Sequence, residues 1–467
     1  MEKLSRFNLT ALLFCVILAS CAGSTGTADD QSAGPLAKAV LATFEDGSPA
    51  PPEWSKNLTM YEVNVRQYSE AGDFAAITAD LPRLKELGVG ILWLMPIHPI
   101  SELNRKGGLG SYYAVQDYKS INPDYGDAAS FKTLVDAAHA NGMYLILDWV
   151  ANHTGWDNPW TESNPEWYMK DSRGNFTPPV ADWSDVIHLD YSNTEMRAAM
   201  IDALEYWVRD FNIDGYRCDV ASMVPTDFWN DVRAELDSIK PVFMLAEAEV
   251  PEHHHEAFDM SYGWDMHHAL NAVASGEHNV SHIDTAIAKK NNRFDSRDYL
   301  MNFTSNHDEN TWNGTVFERM GDNYEAMAVL TFGLEGMPLI YSGQEGPMRK
   351  RLEFFEKDAI DWNGYELQDF YSKLIAFRKE QPALWSGLHG QPLVRLESPA
   401  DIFMATRGGG DETVFMAFNF GKEVSEASLP EKLAGAHLHS PLKGEVNLGE
   451  SLNLEPGGYL IGSIHAH

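Results

Sequence analysis

The chain has 467 residues, enough for one large domain and a smaller one, and its 44% hydrophobic content and 13 Trp exclude a disordered polymer. With 68 acidic against 35 basic residues the formal net charge is -33, which would repel nucleic-acid phosphates and excludes them as partners. Such a surface stays soluble and suits a salty medium, where ions screen its self-repulsion.

At the start, Lys3 and Arg6 precede an apolar run from Leu9 to Ala19, too short for a spanning helix and read as a targeting segment. Its end, Leu18-Ala19-Ser20-Cys21, resembles the lipobox of bacterial lipoproteins. By that resemblance residues 1–20 are a signal peptide and Cys21 is acylated. The protein is then exported and lipid-anchored to a membrane, at the outer membrane or cell surface; Ala22 after the lipidated Cys is compatible with outer-membrane sorting. An ordinary cleaved secretory signal is the alternative. Residues 21–54, rich in Ala, Ser, Gly, Thr and Asp, read as a flexible tether. Of three Cys, two are used in this way or removed, so Cys218 has no partner and no disulfide is expected.

From about residue 57 to 380, short apolar strands alternate with amphipathic helices. Eight strands are predicted: Thr59–Val65, Ile91–Pro96, Tyr144–Val150, Ile213–Ala221, Val242–Ala248, Phe258–Tyr262, Tyr299–Thr304 and Pro338–Tyr341. Helical patterns between them include Phe74–Leu87, Ala129–Asn141, Glu195–Phe211, Tyr324–Leu334 and a closing Leu367–Lys379. Eight such units give an α/β chain folded as a (β/α)8 TIM barrel over residues 55–384. The stretch 151–193 is too long for a simple connection and reads as an inserted subdomain after strand three. Residues 385–467 switch to alternating strands, such as Glu412–Phe418 and Tyr459–Ile464, with Gly408-Gly409-Gly410 as a hairpin turn. They predict a small C-terminal antiparallel β-sandwich domain.

Barrels of this kind carry their chemistry at the C-terminal ends of the strands. Those ends present Asp148-Trp149-Val150-Ala151-Asn152-His153, then Arg217 and Asp219, then Glu247 and Glu249, then Asn306-His307-Asp308. Arg217 and Asp219, two residues apart on a strand, share a face, and the cation would keep the carboxylate ionised. An acid or a His at each of four ends, in register with one barrel, points to a catalytic site. His253-His254-His255 invites a zinc reading, but consecutive residues do not converge easily on one ion.

Four of these segments, Asp148 to His153, Gly215 to Asp219, Leu245 to Glu247 and Phe303 to Asp308, resemble in order and spacing the signature regions of the α-amylase family, glycoside hydrolase family 13. Ser111 to Tyr118, Ile340 to Glu345 and Asp361-Trp362 are similar to further family segments. The resemblance implies a retaining hydrolase of α-glucosidic bonds, mainly α-1,4, in starch-like glucans or malto-oligosaccharides. Asp219 would be the nucleophile, Glu247 the general acid and base, and Asp308 the stabiliser of the oxocarbenium-like transition state. Tyr113 would stack under the sugar, His153 and His307 would bind its hydroxyls, and Arg217 would orient Asp219. The carboxyls of Asp219 and Glu247 are expected roughly 5 Å apart. Glu249, on the same face of the strand, is the rival acid.

Ser222 and Met223 stand where many endo-amylases carry Lys-His, and Val220 stands where many α-1,4-specific relatives carry Ala. An exo-acting or α-1,6-specific α-glucosidase is therefore an alternative, as is a transglycosylase or sugar isomerase of the family. A non-catalytic glucan-binding subunit is the remote one, and the presence of all three acids argues against it. The chemistry requires no cofactor. Asn152 matches a family calcium ligand, and a structural calcium is left open there with Asp182, Asp185 and Asp190 nearby; Met223 weakens it. Trp156, Trp160, Trp167, Tyr168 and Trp183 are sugar platforms or subdomain core. The protein is expected to act as a monomer.

Overall fold

Eight strands close on themselves in sequence order: β1 (Met60–Val63), β2 (Ile91–Leu94), β3 (Tyr144–Trp149), β4 (Gly215–Cys218), β5 (Phe243–Ala246), β6 (Met260–Tyr262), β7 (Tyr299–Asn302) and β8 (Met337–Tyr341). All pairings are parallel, β8 returning to β1 through Met60 opposite Leu339. The computed structural model describes residues 43–465, so the expected signal peptide and the acylation of Cys21 lie outside the described residues.

Apart from Tyr144, every residue of these strands is buried, because helices cover the barrel's outside and side chains fill its inside. That is why the strands are mostly apolar, with Glu62, Asp148 and Arg217 as buried charged exceptions. Met60, Ile91, Trp93, Ile146, Phe243, Leu245 and Met260 fill the interior, while alternate residues such as Tyr61, Leu92, Leu145, Tyr216 and Met244 pack outward against helices. Cys218 is a free, buried thiol in that outer layer, turned away from its neighbours Arg217 and Asp219. Gly215 has φ +147° and a Cβ there would fall 1.9 Å from the Phe243 carbonyl oxygen, so only glycine lets β4 lie this close to β5.

The helices are α1 (Phe74–Leu87), α2 (Ala128–Ala140), α3 (Thr194–Tyr206), α4 (Thr226–Ile239), α5 (Trp264–Ala274), α6 (Ser281–Arg293), α7 (Tyr324–Gly333) and α8 (Gln368–Glu380). In α1, Phe74, Ile77, Leu81, Leu84 and Leu87 recur at helical spacing and are buried. Asp73 caps its start by accepting from Ala76 N–H, and Gly88 at φ 98° ends it. The helix expected over Glu195–Phe211 is α3 followed by a wider π turn at Trp207–Phe211. Among the described residues no helix is long and apolar enough to cross a membrane.

Within residues 151–193, His153–Gly155 pairs antiparallel with Val186–His188, around two short helical turns. The C-terminal region has β9 (Leu393–Arg395), β10 (Ile402–Arg407), β11 (Thr413–Asn419), β12 (Ser425–Ser428), β13 (His437–Ser440), β14 (Gly444–Asn447), β15 (Ser451–Leu454) and β16 (Tyr459–His465). Six form one sheet in the order β9-β10-β11-β16-β13-β14, and β12 pairs with β15 in a second. One apolar cluster joins the two, from Met404 and Phe415 to Ala427 and Leu454. Gly408-Gly409-Gly410 lies in the β10–β11 connection, as expected.

One boundary differs from the expectation. The C-terminal part of the tether predicted at residues 21–54 is held against the barrel. Trp54 stacks on Tyr144 with ring centroids 3.7 Å apart and packs against the Phe243 cluster, and Asp46 pairs with Arg297 at 2.8 Å. Low apolar content hid a single aromatic residue that covers the N-terminal ends of the strands.

Candidate active site

The C-terminal ends of the strands open into a cleft of about 520 Å³. Tyr113, His153, Asp219, Glu247, His307 and Asp308, six of the seven residues singled out for catalysis or substrate binding, line it. The seventh, Arg217, lies fully buried beneath them.

Arg217 organises the floor. Its Nη1 lies 2.8 Å from Asp148 Oδ1 and 3.1 Å from Asp219 Oδ1, donating to both. Its Nη2 is 3.0 Å from Glu247 Oε2, within ion-pairing distance but not aligned for a hydrogen bond. Nε donates to Tyr262 Oη at 3.2 Å, and the guanidinium is boxed by the rings of Trp93, Tyr113 and Tyr262. The sequence pairs Arg217 with Asp219 alone; in the fold one cation serves three carboxylates. That changes the electrostatics. Burial first, then the Glu247 charge, push the Asp219 carboxyl well above its ordinary range, against the pull of Arg217. Burial, offset in part by Arg217, raises Glu247 too, and Asp308 adds to the rise. Burial of two carboxyls beside one guanidinium thus favours the protonated form of each more than water would.

Glu247 Oε2 also accepts the Val220 N–H at 2.7 Å. Val220 reaches this position at φ 36°, a left-handed conformation that β-branched residues rarely adopt. The strained residue directly follows Asp219 and ties its backbone to Glu247. Glu249 takes no part in the cleft; its Oε2 accepts the Asp265 N–H at 3.2 Å near the start of α5.

On the opposite wall, Tyr113 Oη is 2.8 Å from His307 Nε2 and donates to Asp148 Oδ2 at 3.2 Å. Its ring lies nearly parallel to His307 and to Phe354. Burial lowers His307, but Asp308 and then Glu62 overcome it and raise the imidazole to about 9. His153 moves the other way, down to about 3 through burial and the neighbouring His188, so it is neutral at pH 7. Asp308 Oδ2 is 3.4 Å from His307 Nε2 and remains 35% exposed toward the cleft.

Of the five inserted-segment aromatics, Trp183 alone lines the cleft; Trp167 and Tyr168 are buried and Trp160 packs against Trp167. The sequence reading missed Glu62, Lys106, Trp312, Phe354 and Phe355. Of the four cleft-lining residues, Trp312 lies in the short π-helical turn Glu309–Asn313 and the other three come from loops without a periodic signal. Glu62 had one, a lone acid inside the apolar run Met60–Val63.

Asn152 is buried, its amide N lies 3.2 Å from His153 Nδ1, and its Oδ1 meets no donor. Calcium takes about six to eight oxygens, carboxylates among them. Asp185 is instead engaged by Lys106 at 3.3 Å and Asp190 accepts from Ser192. Among the described residues no three acidic, His or Cys side chains gather as a metal site. Asn152 thus brings one buried oxygen that meets no donor among the described residues, with no carboxylate cluster beside it. His254 of the triple-His run hydrogen-bonds Ser261 Oγ at 2.8 Å in the interior.

The chain has relatives among known proteins. The family model "Alpha amylase, catalytic domain" matches residues 42–184 and 162–387. The alpha-amylase MalA of Haloarcula japonica is 28% identical over 83% of this chain; the chain spans 59% of that protein's own length. The intracellular maltogenic amylase of Bacillus subtilis is 26% identical over 89% of this chain and 78% of its own. Among solved structures, an alpha-amylase from Lactobacillus plantarum is 33% identical with TM-score 0.79, covering 88% of this chain and 99% of that one.

Proposed function

The chain belongs to the alpha-amylase family, and from that premise we propose that it is a retaining glycoside hydrolase of α-glucosidic bonds in starch-like glucans or malto-oligosaccharides. The observation that carries the reading is the pair Asp219 and Glu247 on the one guanidinium of Arg217, both opening into the same cleft. Retaining hydrolysis needs two carboxyls close together, one charged and one protonated, and burial that favours a proton on these carboxyls supports the protonated one. In the productive form Glu247 carries the proton. Asp219 Oδ attacks the anomeric carbon while Glu247 gives its proton to the departing glycosidic oxygen. Glu247, now a base, takes a proton from water, whose oxygen displaces Asp219 and releases the sugar. Asp308 faces the same cavity and its charge favours the positive character of the transition state.

The assignment of the acid has a direct check. Glu247→Gln is expected to lower kcat/KM on maltodextrins about 10²–10⁴-fold. An aryl α-glucoside whose leaving group needs no proton should be spared most of that loss. Glu249→Gln should stay close to the parent on both substrates. That same pattern in Glu249→Gln, with Glu247→Gln close to the parent, would move the acid to Glu249.

The wall of the cleft favours a second reading, action on short or cyclic maltodextrins. Lys106 bonds the Asp182 carbonyl at 2.6 Å, the Gly108 N–H donates to Glu356 at 2.6 Å and the Leu109 N–H donates to the Phe355 carbonyl at 2.8 Å. Three segments are thereby laced into one barrier. A product time course of the purified enzyme on amylose, maltoheptaose, an isomalto-oligosaccharide and sucrose decides between the readings. Several maltodextrins released early from amylose mean endo action on α-1,4 bonds. Maltose or glucose alone from short chains mean exo action. Cleavage of only the isomalto-oligosaccharide makes Val220 the residue to vary, and inert glucans would sink the hydrolase reading.

Our reading of the cell biology is that Cys21 anchors a monomeric enzyme to a membrane through lipid. It rests on the Leu18–Cys21 lipobox resemblance. Metabolic labelling with a fatty-acid analogue tests it, with Cys21→Ser as the control that should lose the label.

A further inference from the structure

We propose that Glu62, on β1, is a positioning residue that holds His307 as a doubly protonated imidazolium in the wall of the cleft, its Nε2–H shared between Tyr113 Oη and the Asp308 side. The proposal rests on the reading of this cleft as a glycosidase site. Glu62 is completely buried, and its Oε1 lies 2.5 Å from His307 Nδ1. A carboxylate can only accept, so Nδ1 carries a proton. The other oxygen, Oε2, is buried without a partner, so the charge of Glu62 has no hydrogen-bond outlet except His307. The backbone at Glu62 is held by β8: Ser342 N–H and Oγ both donate to its main-chain carbonyl, the former at 3.0 Å. The imidazole itself is clamped between the edge-on Trp93 and the near-parallel Tyr113 ring.

The state of Nε2 follows from the charges around the ring. Glu62 comes from β1, Asp148 from β3, Glu247 from the end of β5 and Asp308 from the residue next to His307; Arg217 on β4 is the opposing cation and Tyr113 the neutral neighbour. Of these groups Asp308 and then Glu62 outweigh burial and Arg217, and the imidazole is raised to about 9. A neutral His307 protonated on Nδ1 would present Nε2 as an acceptor. The imidazolium presents a donor, whose hydrogen bond Tyr113 Oη can accept at 2.8 Å while its own proton goes to Asp148, and which lies 3.4 Å from Asp308 Oδ2.

The test compares Glu62→Gln with the parent. The amide oxygen still accepts from Nδ1–H, but the charge is gone, so His307 should titrate at or below its ordinary value of about 6.5. The ratio of variant to parent kcat/KM is expected to fall about 30-fold between pH 5.5 and pH 8, since at pH 8 only about one imidazole in thirty stays protonated. Glu62→Asp should hold that ratio flat. A ratio for Glu62→Gln independent of pH overturns the proposal. NMR of the unsubstituted enzyme, with His307→Gln to assign the resonance, reads the same proton without any turnover. His307 still an imidazolium at pH 8 is the expected result, and titration at or below about 6.5 overturns the proposal even where the Glu62 variants fail to fold. Parent activity on maltodextrins tests the glycosidase reading separately.

Discussion

Replacing Asp219 by Asn is expected to abolish glucan turnover, with kcat falling on the order of 10⁴-fold or more. The amide cannot form the covalent glycosyl–enzyme, and the side chain keeps nearly the same size on a floor that is closely packed. The fold should survive, because the change removes one of three carboxylates from a single cation and eases the repulsion between Asp219 and Glu247. Stability equal to or above the parent, together with lost activity, is therefore the combined expectation. It is read by thermal melting and by product release from maltoheptaose. Activity within tenfold of the parent would remove Asp219 from the nucleophile's role.

Arg217→Met should be among the most destabilising single changes in the chain. The guanidinium is fully buried and is the nearest cation to Asp148, Asp219 and Glu247. Removing one partner of a buried ion pair costs about 3–5 kcal/mol, because the remaining charge has no water to turn to. The loss also has a pH signature. Without Arg217 the three carboxyls rise further above the range they have in the unfolded chain. The folded state then binds more protons than the unfolded one, so stability falls as pH rises. The deficit of the variant should be smallest in mild acid and grow toward neutral pH, as measured by chemical denaturation at several pH values. A deficit that is the same at every pH would mean that the carboxylates are charge-compensated by something other than Arg217.

The barrel strands were legible because burial on both faces leaves almost no polar residue to confuse the pattern. Tyr144–Val150 was expected and β3 covers Tyr144–Trp149; Pro338–Tyr341 was expected and β8 begins one residue earlier. The strand-end residues were legible for the same reason, since charge at the end of an apolar run needs a purpose. What escaped depended on distances across the barrel. Arg217 and Asp219 are neighbours in sequence, whereas Asp148 and Glu247 reach the same guanidinium from β3 and β5. Glu62 is 245 positions from His307. Glu247 was preferred to Glu249 on the family resemblance, and β5 stops at Ala246, one residue before it. The left-handed turn at Val220 has no signal in a residue type that normally avoids it. Trp312, exposed on its π-helical turn beside Phe354, belongs to no repeating pattern.

Trp54 sits under the barrel, stacked on Tyr144 at the start of β3 and packed with Phe243 at the start of β5, while the cleft opens at the other ends of the same strands. The chain therefore approaches its catalytic domain from behind. A bead, carrier protein or surface joined ahead of residue 43 would face the closed base, leaving the mouth turned toward the surrounding medium. A polymer too large to diffuse beneath an immobilised enzyme would still meet an open cleft.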